Sequence, residues 1–345
     1  MTEQGINRLW YRPSWRWAAW LLAPLAGLFA LLAGLRRVAY RAGLFRSWHP
    51  GVPVIVVGNL TVGGSGKTPF VVWLARQLSQ RGRKVGIVSR GYGGAQRVPA
   101  RLPDNADPLL YGDEPVLIQA ATGLPVAVAA VRSQAALLLA ERDSVDVIVC
   151  DDGLQHYALR RDFEIAVVDG QRGFGNGWLL PAGPLREPRS RLRSVDAVVL
   201  RDPGAGGVTG LGELASDSVE MRLVLGDLRP LLAGTAELTD IAQWRGRTVH
   251  AVAGIGVPER FFAALRSAGL AVLERAAPDH HLWSARELNF GDGLPVFMTG
   301  KDAVKCRGFA QPHWYSVDLR AEIPPLQAER LLTALLARIG ARRDS

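Results

Sequence analysis

Residues 55–70 read Ile55-Val56-Val57-Gly58-Asn59-Leu60-Thr61-Val62-Gly63-Gly64-Ser65-Gly66-Lys67-Thr68-Pro69-Phe70. An apolar run turns through closely spaced glycines into Gly-Lys-Thr ahead of an amphipathic stretch. The run predicts a strand and the stretch from Pro69 a helix, which puts the glycines in a βα turn. Gly63, Gly64 and Gly66 free the backbone to curl around an anion. Successive N–H groups, that of Ser65 included, then point at phosphate oxygens, and the positive end of the following helix adds a favourable field. Lys67 is placed to reach the β- and γ-phosphates of a nucleotide and Thr68 a Mg2+ ion. The spacing departs from G-x-x-x-x-G-K-[ST] at one position, because Thr61 stands five residues before Gly66. The plain alternative is a glycine-rich turn with an ordinary exposed lysine; the strand before it and the helix after it favour nucleotide binding.

Outward from this loop the pattern alternates. Helix is predicted near 69–81, strand at 84–89, the glycine-rich turn Arg90-Gly91-Tyr92-Gly93-Gly94, helix near 115–122, strand at 126–130, helix near 133–141 and strand at 145–150. Strands at 164–168 and 196–200 complete a βαβ series with a parallel sheet. The glycine-rich stretch 202–212 reads as a linker. Beyond it come strand 248–253, helix 258–268, strands 270–275 and 295–299 and a last helix over 326–337, a second and smaller α/β unit. The expected divisions are 1–46, an N-terminal membrane-associated helix; 47–212, the nucleotide-binding core; and 213–345, the second unit. A ligand site is expected in a cleft between the last two.

The 345 residues are 48% apolar and carry a net charge of +9, with 41 Lys plus Arg of which only Lys67, Lys84, Lys301 and Lys305 are lysine. Such a balance calls for an anionic partner. Nucleic acid is excluded as the reading, since aromatics do not interleave with basic residues and no zinc-finger or helix-turn-helix pattern is present. The uncharged stretch 17–35 favours lipid instead, with Trp10, Tyr11, Trp15, Trp17 and Trp20 at its leading end and Arg36, Arg37 and Arg41 behind it. Nineteen residues can just span a bilayer. Pro24 and Gly27 are expected to interrupt the stretch, and arginines flank both ends, so it reads as a monotopic interfacial helix. A spanning helix, a signal peptide with Arg8, Arg12 and Arg16 as its basic region, and a helix buried in the protein's own core are the alternatives. Cys150 and Cys306 are the only cysteines, which implies no disulfide framework.

Asp151 and Asp152 end the apolar strand at 145–150, where phosphate-loop enzymes hold Mg2+; a solvated turn is the alternative. Asp113, in Tyr111-Gly112-Asp113-Glu114-Pro115, reads equally as a helix cap or a catalytic acid. Asp279-His280-His281 follows a strand of the second unit and could be a turn, a metal site or a base with its partner. A carboxylate from the first half meeting a histidine from the second would take a proton from an attacking hydroxyl. Arg132 and Arg186 are candidates to neutralise phosphoryl or substrate charge. Lys301 and Lys305 gain weight from the scarcity of lysine.

The ordered set Gly63-Gly64-Ser65-Gly66-Lys67-Thr68-Pro69, Ser89-Arg90-Gly91-Tyr92-Gly93, Gly112-Asp113-Glu114-Pro115, Asp151-Asp152-Gly153-Leu154-Gln155-His156, Gly183-Pro184-Leu185-Arg186-Glu187 and Asp279-His280-His281 resembles the tetraacyldisaccharide 4′-kinases, within the P-loop NTPase superfamily. The resemblance covers nearly the whole chain. It implies a mostly parallel P-loop sheet flanked by helices, with the smaller α/β subdomain and the membrane helix already read. It also implies transfer of the γ-phosphate of ATP, with Mg2+, to the 4′-hydroxyl of a lipid A disaccharide 1-phosphate precursor at the cytoplasmic face of the inner membrane. Anionic inner-membrane lipids are the expected surroundings, and no protein partner is expected. Gly63 to Pro69 then look like the nucleotide site, Thr68, Asp151 and Asp152 the metal-associated groups, and Asp113 the base supported by His280. Lys67 and Arg132 look like groups on the transferring phosphate, and Gln155, Arg186 and Glu187 match further active-site positions. The pattern departs at Gly300, where the family commonly has Glu before Lys-Asp-Ala-Val-Lys. A guanine-nucleotide switch is the rival reading, but Thr299-Gly300-Lys301-Asp302 misses the spacing of the guanine motif.

Overall fold

The computed structural model describes residues 9–11, 16–204, 211, 217–232 and 240–340. The expected linker at 202–212 falls mostly outside these residues, as do Arg8 and Arg12. Twelve strands follow in chain order: β1 (Val54–Gly58), β2 (Val85–Ser89), β3 (Ala100–Arg101), β4 (Val126–Val128), β5 (Val147–Asp151), β6 (Phe163–Asp169), β7 (Ala197–Arg201), β8 (Val219–Pro230), β9 (Thr248–Ala253), β10 (Ala271–Ala276), β11 (Val296–Thr299) and β12 (Trp314–Glu322). They form one sheet in the order β10-β9-β11-β12-β8-β7-β6-β1-β5-β2-β4-β3.

The strand that feeds the glycine-rich loop lies inside this sheet, with β5 and β6 parallel on either side. Every residue of β1, β2, β5 and β6 is buried, as a parallel sheet covered on both faces requires. On one face Ile55, Val57, Val147 and Val149 meet Phe70, Val71 and Leu74 of the Lys67–Gln80 helix. On the other, Val54, Val56 and Ile148 pack with Ala135, Ala136 and Leu139 of the Arg132–Arg142 helix.

The long strand β8 joins the two halves of the sheet. Its first residues run parallel to β7, Val219 opposite Val199, and its later ones antiparallel to β12, Leu228 opposite Val317. Neither β8 nor β12 is among the strands expected from sequence. The last helix, Pro325–Gly340, is read from sequence with the second unit, yet Leu331, Leu332, Leu335 and Ile339 pack in the same cluster as β1 and the Lys67–Gln80 helix.

The N-terminal apolar stretch forms two helices, Arg16–Leu21 and Ala23–Arg41. Pro24 sits in the first turn of the second, where its missing N–H costs nothing. Gly27 does not interrupt that helix, contrary to the sequence expectation; one glycine costs an exposed helix only about 1 kcal/mol. Ala23–Arg41 has 19 residues and a mean hydropathy of 1.2, is long and apolar enough to cross a membrane, and is only 6% buried. That exposure rules out a helix hidden in the protein's own core. Ala19 and Ala26 instead dock on Trp10, Ala182, Trp178 and Leu180, next to the Gly183-Pro184-Leu185-Arg186-Glu187 segment.

Candidate active site

The glycine loop is shaped by backbone that only glycine tolerates well. Gly66 caps the Lys67–Gln80 helix at φ +84°, and a Cβ there would stand 2.6 Å from Cδ of Arg201. Arg201, at the end of β7, donates to the carbonyl of Gly64 at 3.1 Å and pairs with Asp169 at the end of β6. Around Gly64 a Cβ would meet nothing within 4 Å, so the loop faces open space. The Ser65 hydroxyl is buried without a partner. Thr61, the departure from the consensus spacing, forms an antiparallel bridge with Leu185, and Arg186 N–H donates to the Leu60 carbonyl at 2.6 Å. The loop's leading edge therefore fixes the segment that carries Arg186.

Lys67 donates to Asn59 Oδ1 at 3.2 Å and lies 3.3 Å from Asp152, which Arg186 also grips at 3.0 Å. Asp152 holds a left-handed φ of +49°, an unfavourable conformation for a non-glycine residue that the neighbouring contacts sustain. Burial pushes its carboxyl up in pKa, but Lys67 and then Arg186 outweigh burial and hold it well below the usual range. Asp151, 1% exposed, goes the other way: burial first, then Glu114 and Asp152, raise it, against Lys67 and Arg132. Its buried Oδ1 has no hydrogen-bond partner. An orphaned carboxylate oxygen beside Asp152 and behind Thr68 fits a hard divalent cation that takes its remaining ligands from phosphate and water. Among the described residues no three His, Cys, Asp or Glu side chains form a metal cluster.

Asp113 opens the Asp113–Thr122 helix. Gly112 before it has φ +90°, and a Cβ there would be 2.7 Å from the Tyr92 carbonyl, so this glycine permits the close approach of the Arg90–Gly94 turn. Asp113 Oδ2 lies 2.9 Å from His280 Nδ1, and its Oδ1 accepts the Glu114 amide at 2.9 Å. His280 sits at φ +62° under the Tyr92 ring. Burial raises the Asp113 pKa, but the His280 hydrogen bond, with Lys301 and Lys305, carries it below its ordinary value. The hydrogen bond to Asp113 raises His280, against burial and Lys301. Lys301, on the Gly300–Cys306 helix, reaches Asp279 at 3.0 Å, His280 Nε2 at 3.3 Å and Glu114 at 3.5 Å. Lys305 donates to the His281 carbonyl at 3.0 Å and to Asp302 at 3.3 Å.

Lys67, Thr68, Arg132, Asp151, Asp152, Gln155, Arg186, Glu187 and His280 all line one cleft of about 1980 Å³. Asp113 sits behind His280. Glu187 is satisfied by Gln155 at 3.0 Å and by the Tyr157 hydroxyl, so these two expected site residues brace each other. Arg132, 2% exposed, has no carboxylate partner among the described residues and a buried, unsatisfied Nε. Gly300 is closely enclosed: a Cβ would lie 2.6 Å from Asp318 Oδ1 and 2.8 Å from Leu117 Cδ1, so a side chain here requires both of those side-chain ends to shift. Sequence reading did not single out Asn59, Asp169 or Arg201. Each is a buried polar residue in or just after a strand end facing the loop, and that position is the signal they carried.

The chain matches LpxK, the tetraacyldisaccharide-1-P 4′-kinase family, over residues 18–339. The chain belongs to that family. Curated tetraacyldisaccharide 4′-kinases from Tolumonas auensis (49% identical, 96% of this chain and 97% of that one) and Methylobacillus flagellatus (46%, 96% and 96%) are similar throughout. One from Aeromonas hydrophila is 49% identical over 97% of this chain and 96% of its own. Among solved structures, LpxK from Aquifex aeolicus, an "apo" form in complex with ATP, superposes with a TM-score of 0.78 at 28% identity, over 93% of this chain and 99% of that one. In LpxK terms, the expected P-loop sheet flanked by helices is the fold observed.

Proposed function

We infer that this chain transfers the γ-phosphate of ATP to the 4′-hydroxyl of a tetraacyldisaccharide 1-phosphate. The observation that carries the reading is one cleft lined by both the Lys67–Asp152–Arg186 cluster and His280, which is hydrogen-bonded to Asp113 behind it. Loop amides from Gly63 to Thr68 and the Lys67 ammonium hold the nucleotide phosphates, and Pro69 lies in the first turn of the Lys67–Gln80 helix, whose positive end faces them. Thr68, Asp151 and Asp152 would hold Mg2+, which when bound neutralises charge between the phosphoryl groups. The 4′-hydroxyl gives its proton to Asp113, with His280 as its hydrogen-bonded support, as the oxygen attacks in line and the ADP oxygen leaves. Arg132 and Arg186 offset the charge on the moving phosphoryl group. Alignment and charge neutralisation supply most of the acceleration, since phosphoryl transfer asks for little covalent work from the protein.

The Ala23–Arg41 helix lies on the cytoplasmic face of the inner membrane among anionic lipids. It keeps the acyl chains of the acceptor in the bilayer while the sugar enters the cleft. Of the units 1–46, 47–212 and 213–345, the first then serves as anchor, the second as nucleotide unit and the third as cover, except for its Pro325–Gly340 helix, which packs in the core of the nucleotide unit. The test is transfer of labelled γ-phosphate from ATP to a detergent-dispersed tetraacyldisaccharide 1-phosphate, with wild type beside Lys67→Ala. Labelled lipid from wild type alone is the expected result. ATP hydrolysis without labelled lipid would overturn the reading in favour of a nucleotide switch.

A further inference from the structure

The ends of β6 and β7 hold an ion-pair cluster to which the proposed reaction gives no role. Asp169, 4% exposed, accepts from Arg201 of β7 and from both terminal nitrogens of Arg260, Nη1 to Oδ2 at 2.9 Å and Nη2 to Oδ1 at 3.4 Å. Its Oδ1 also accepts the amides of Gln171 and Arg172, at 3.0 and 3.1 Å, so the carboxylate is held from several sides. Arg260 belongs to the Pro258–Ser267 helix, whose Phe261, Phe262 and Leu265 pack in the core of the second half with Val249 and Phe297. Two guanidinium groups from opposite halves of the sheet therefore share one buried carboxylate, and groups in one such network are energetically coupled.

Arg201 is itself 4% exposed, and each of its nitrogens faces a protein oxygen. Nη2 bonds Asp169, Nε lies 3.5 Å from Asp202, and Nη1 donates to the Gly64 carbonyl at 3.1 Å. The last of these contacts falls on the phosphate loop. A glycine backbone on its own has many orientations, and an anchored carbonyl leaves few. In a planar trans peptide the C=O and the following N–H point in opposite directions. Holding the Gly64 oxygen against Arg201 therefore fixes the direction of the Ser65 N–H, one of the donors assigned to the nucleotide phosphates.

We propose that Arg201 is a positioning residue for nucleotide binding: through the Gly64 carbonyl it sets the Ser65 amide, and Arg260, acting through the shared Asp169, ties that setting to the second half of the sheet. The inference rests on the kinase reading and adds to it a link between the half that carries His280 and the loop that holds ATP. The link runs from Arg260 to Asp169 to Arg201 to Gly64 and asks neither arginine to touch the nucleotide.

The experiment measures ATP dissociation constants by calorimetry, without acceptor, for wild type, Arg201→Lys, Arg260→Gln, the double variant and Arg266→Gln. Arg201→Lys keeps a charge beside Asp169 but loses the planar fork that bonds Asp169 and Gly64 at once. Its dissociation constant is expected to rise about tenfold. A lysine that preserves wild-type affinity would make Arg201 a counter-charge for Asp169 alone and overturn the proposal. Arg260, with 32% of its side chain exposed, can be replaced with little risk to the fold. Arg260→Gln is expected to weaken ATP about fivefold in the wild-type background and to change nothing where Arg201 is already Lys. Costs that multiply, to about fiftyfold in the double variant, would show Arg260 acting on the nucleotide by itself and overturn the relay, as would an Arg260→Gln of wild-type affinity. Arg266→Gln, on the same helix but paired with Glu274, stays at the wild-type value. Wild type that binds no ATP defeats the kinase reading itself, a failure distinct from that of the relay.

Discussion

Gly66 shows how much of the nucleotide site depends on one residue. Its φ of +84° sets the first turn of the Lys67–Gln80 helix, and its missing side chain leaves space for the stem of Arg201. Arg201 cannot easily yield, because Asp169 holds its guanidinium and the Gly64 carbonyl accepts from it. Gly66→Ala therefore adds left-handed strain of about 1–2 kcal/mol to a close contact. The expected result is an ATP dissociation constant raised tenfold or more, by calorimetry, with Tm within a few degrees of wild type. Unchanged ATP affinity would mean that the loop binds phosphate without this cap. The same reasoning explains why Thr61 is no defect: its backbone bridges Leu185, a task for which glycine has no special merit.

Elements differ in how plainly their sequences announce them. Strands β1, β2, β5 and β6 are buried on both faces, so they read as largely apolar runs, broken in β6 by the ion-paired Glu164, and were legible. β8 and β12 were not, because each is partly exposed: Glu220 and Arg222 face out in alternation with buried Val219 and Met221, and β12 carries Ser316, Asp318 and Arg320. The motifs that supply Lys67, Asp152, Arg186, Asp113 and His280 could be read in order along the chain, but their contacts could not. Asp169 and Arg201 escaped notice because they pair across neighbouring strand ends, which only the sheet order brings together, and Asn59 because its contact with Lys67 arises only once the loop has curled. The N-terminal helix was legible in composition, and its exposed leucines give it a test. Leu28 and Leu35 lie one heptad apart, away from the cleft-lining positions, and both are exposed. Replacing both by Glu sets two charges on the face read as membrane-bound. Sedimentation with phosphatidylglycerol vesicles is expected to show the variant in the supernatant while wild type pellets, with the KM for ATP unchanged. Continued pelleting of the variant would place the lipid contact elsewhere.

At the scale of the whole molecule, the active site is assembled from both halves of one twelve-stranded sheet. Asp113 and Glu114 come from the first half; His280, Asp279, Lys301 and Lys305 come from the second, and Arg260 reaches back to Asp169. The Asp113–His280 pair is thus a bond between halves, and its charge state links the strength of that contact to pH. His280 is raised above its ordinary 6.5, so its contribution is complete below that value and is lost as pH rises through the higher folded pKa. Asp113 is lowered below its ordinary 3.8, so its contribution is present above that value and is lost as pH falls through the lower folded pKa. Both directions leave the pair strongest between these two ordinary values, with Lys301, Lys305, Asp279 and Glu114 as the other charges facing it. His280→Gln keeps the size of the side chain and removes the titration. The Tm gap between wild type and this variant, measured without nucleotide, is expected to be widest near pH 5.5 and to narrow as the pH is raised towards 9 and His280 loses its proton. A gap of constant width across that range would show that the two halves are held here by a neutral hydrogen bond, whose strength does not follow the charge on His280.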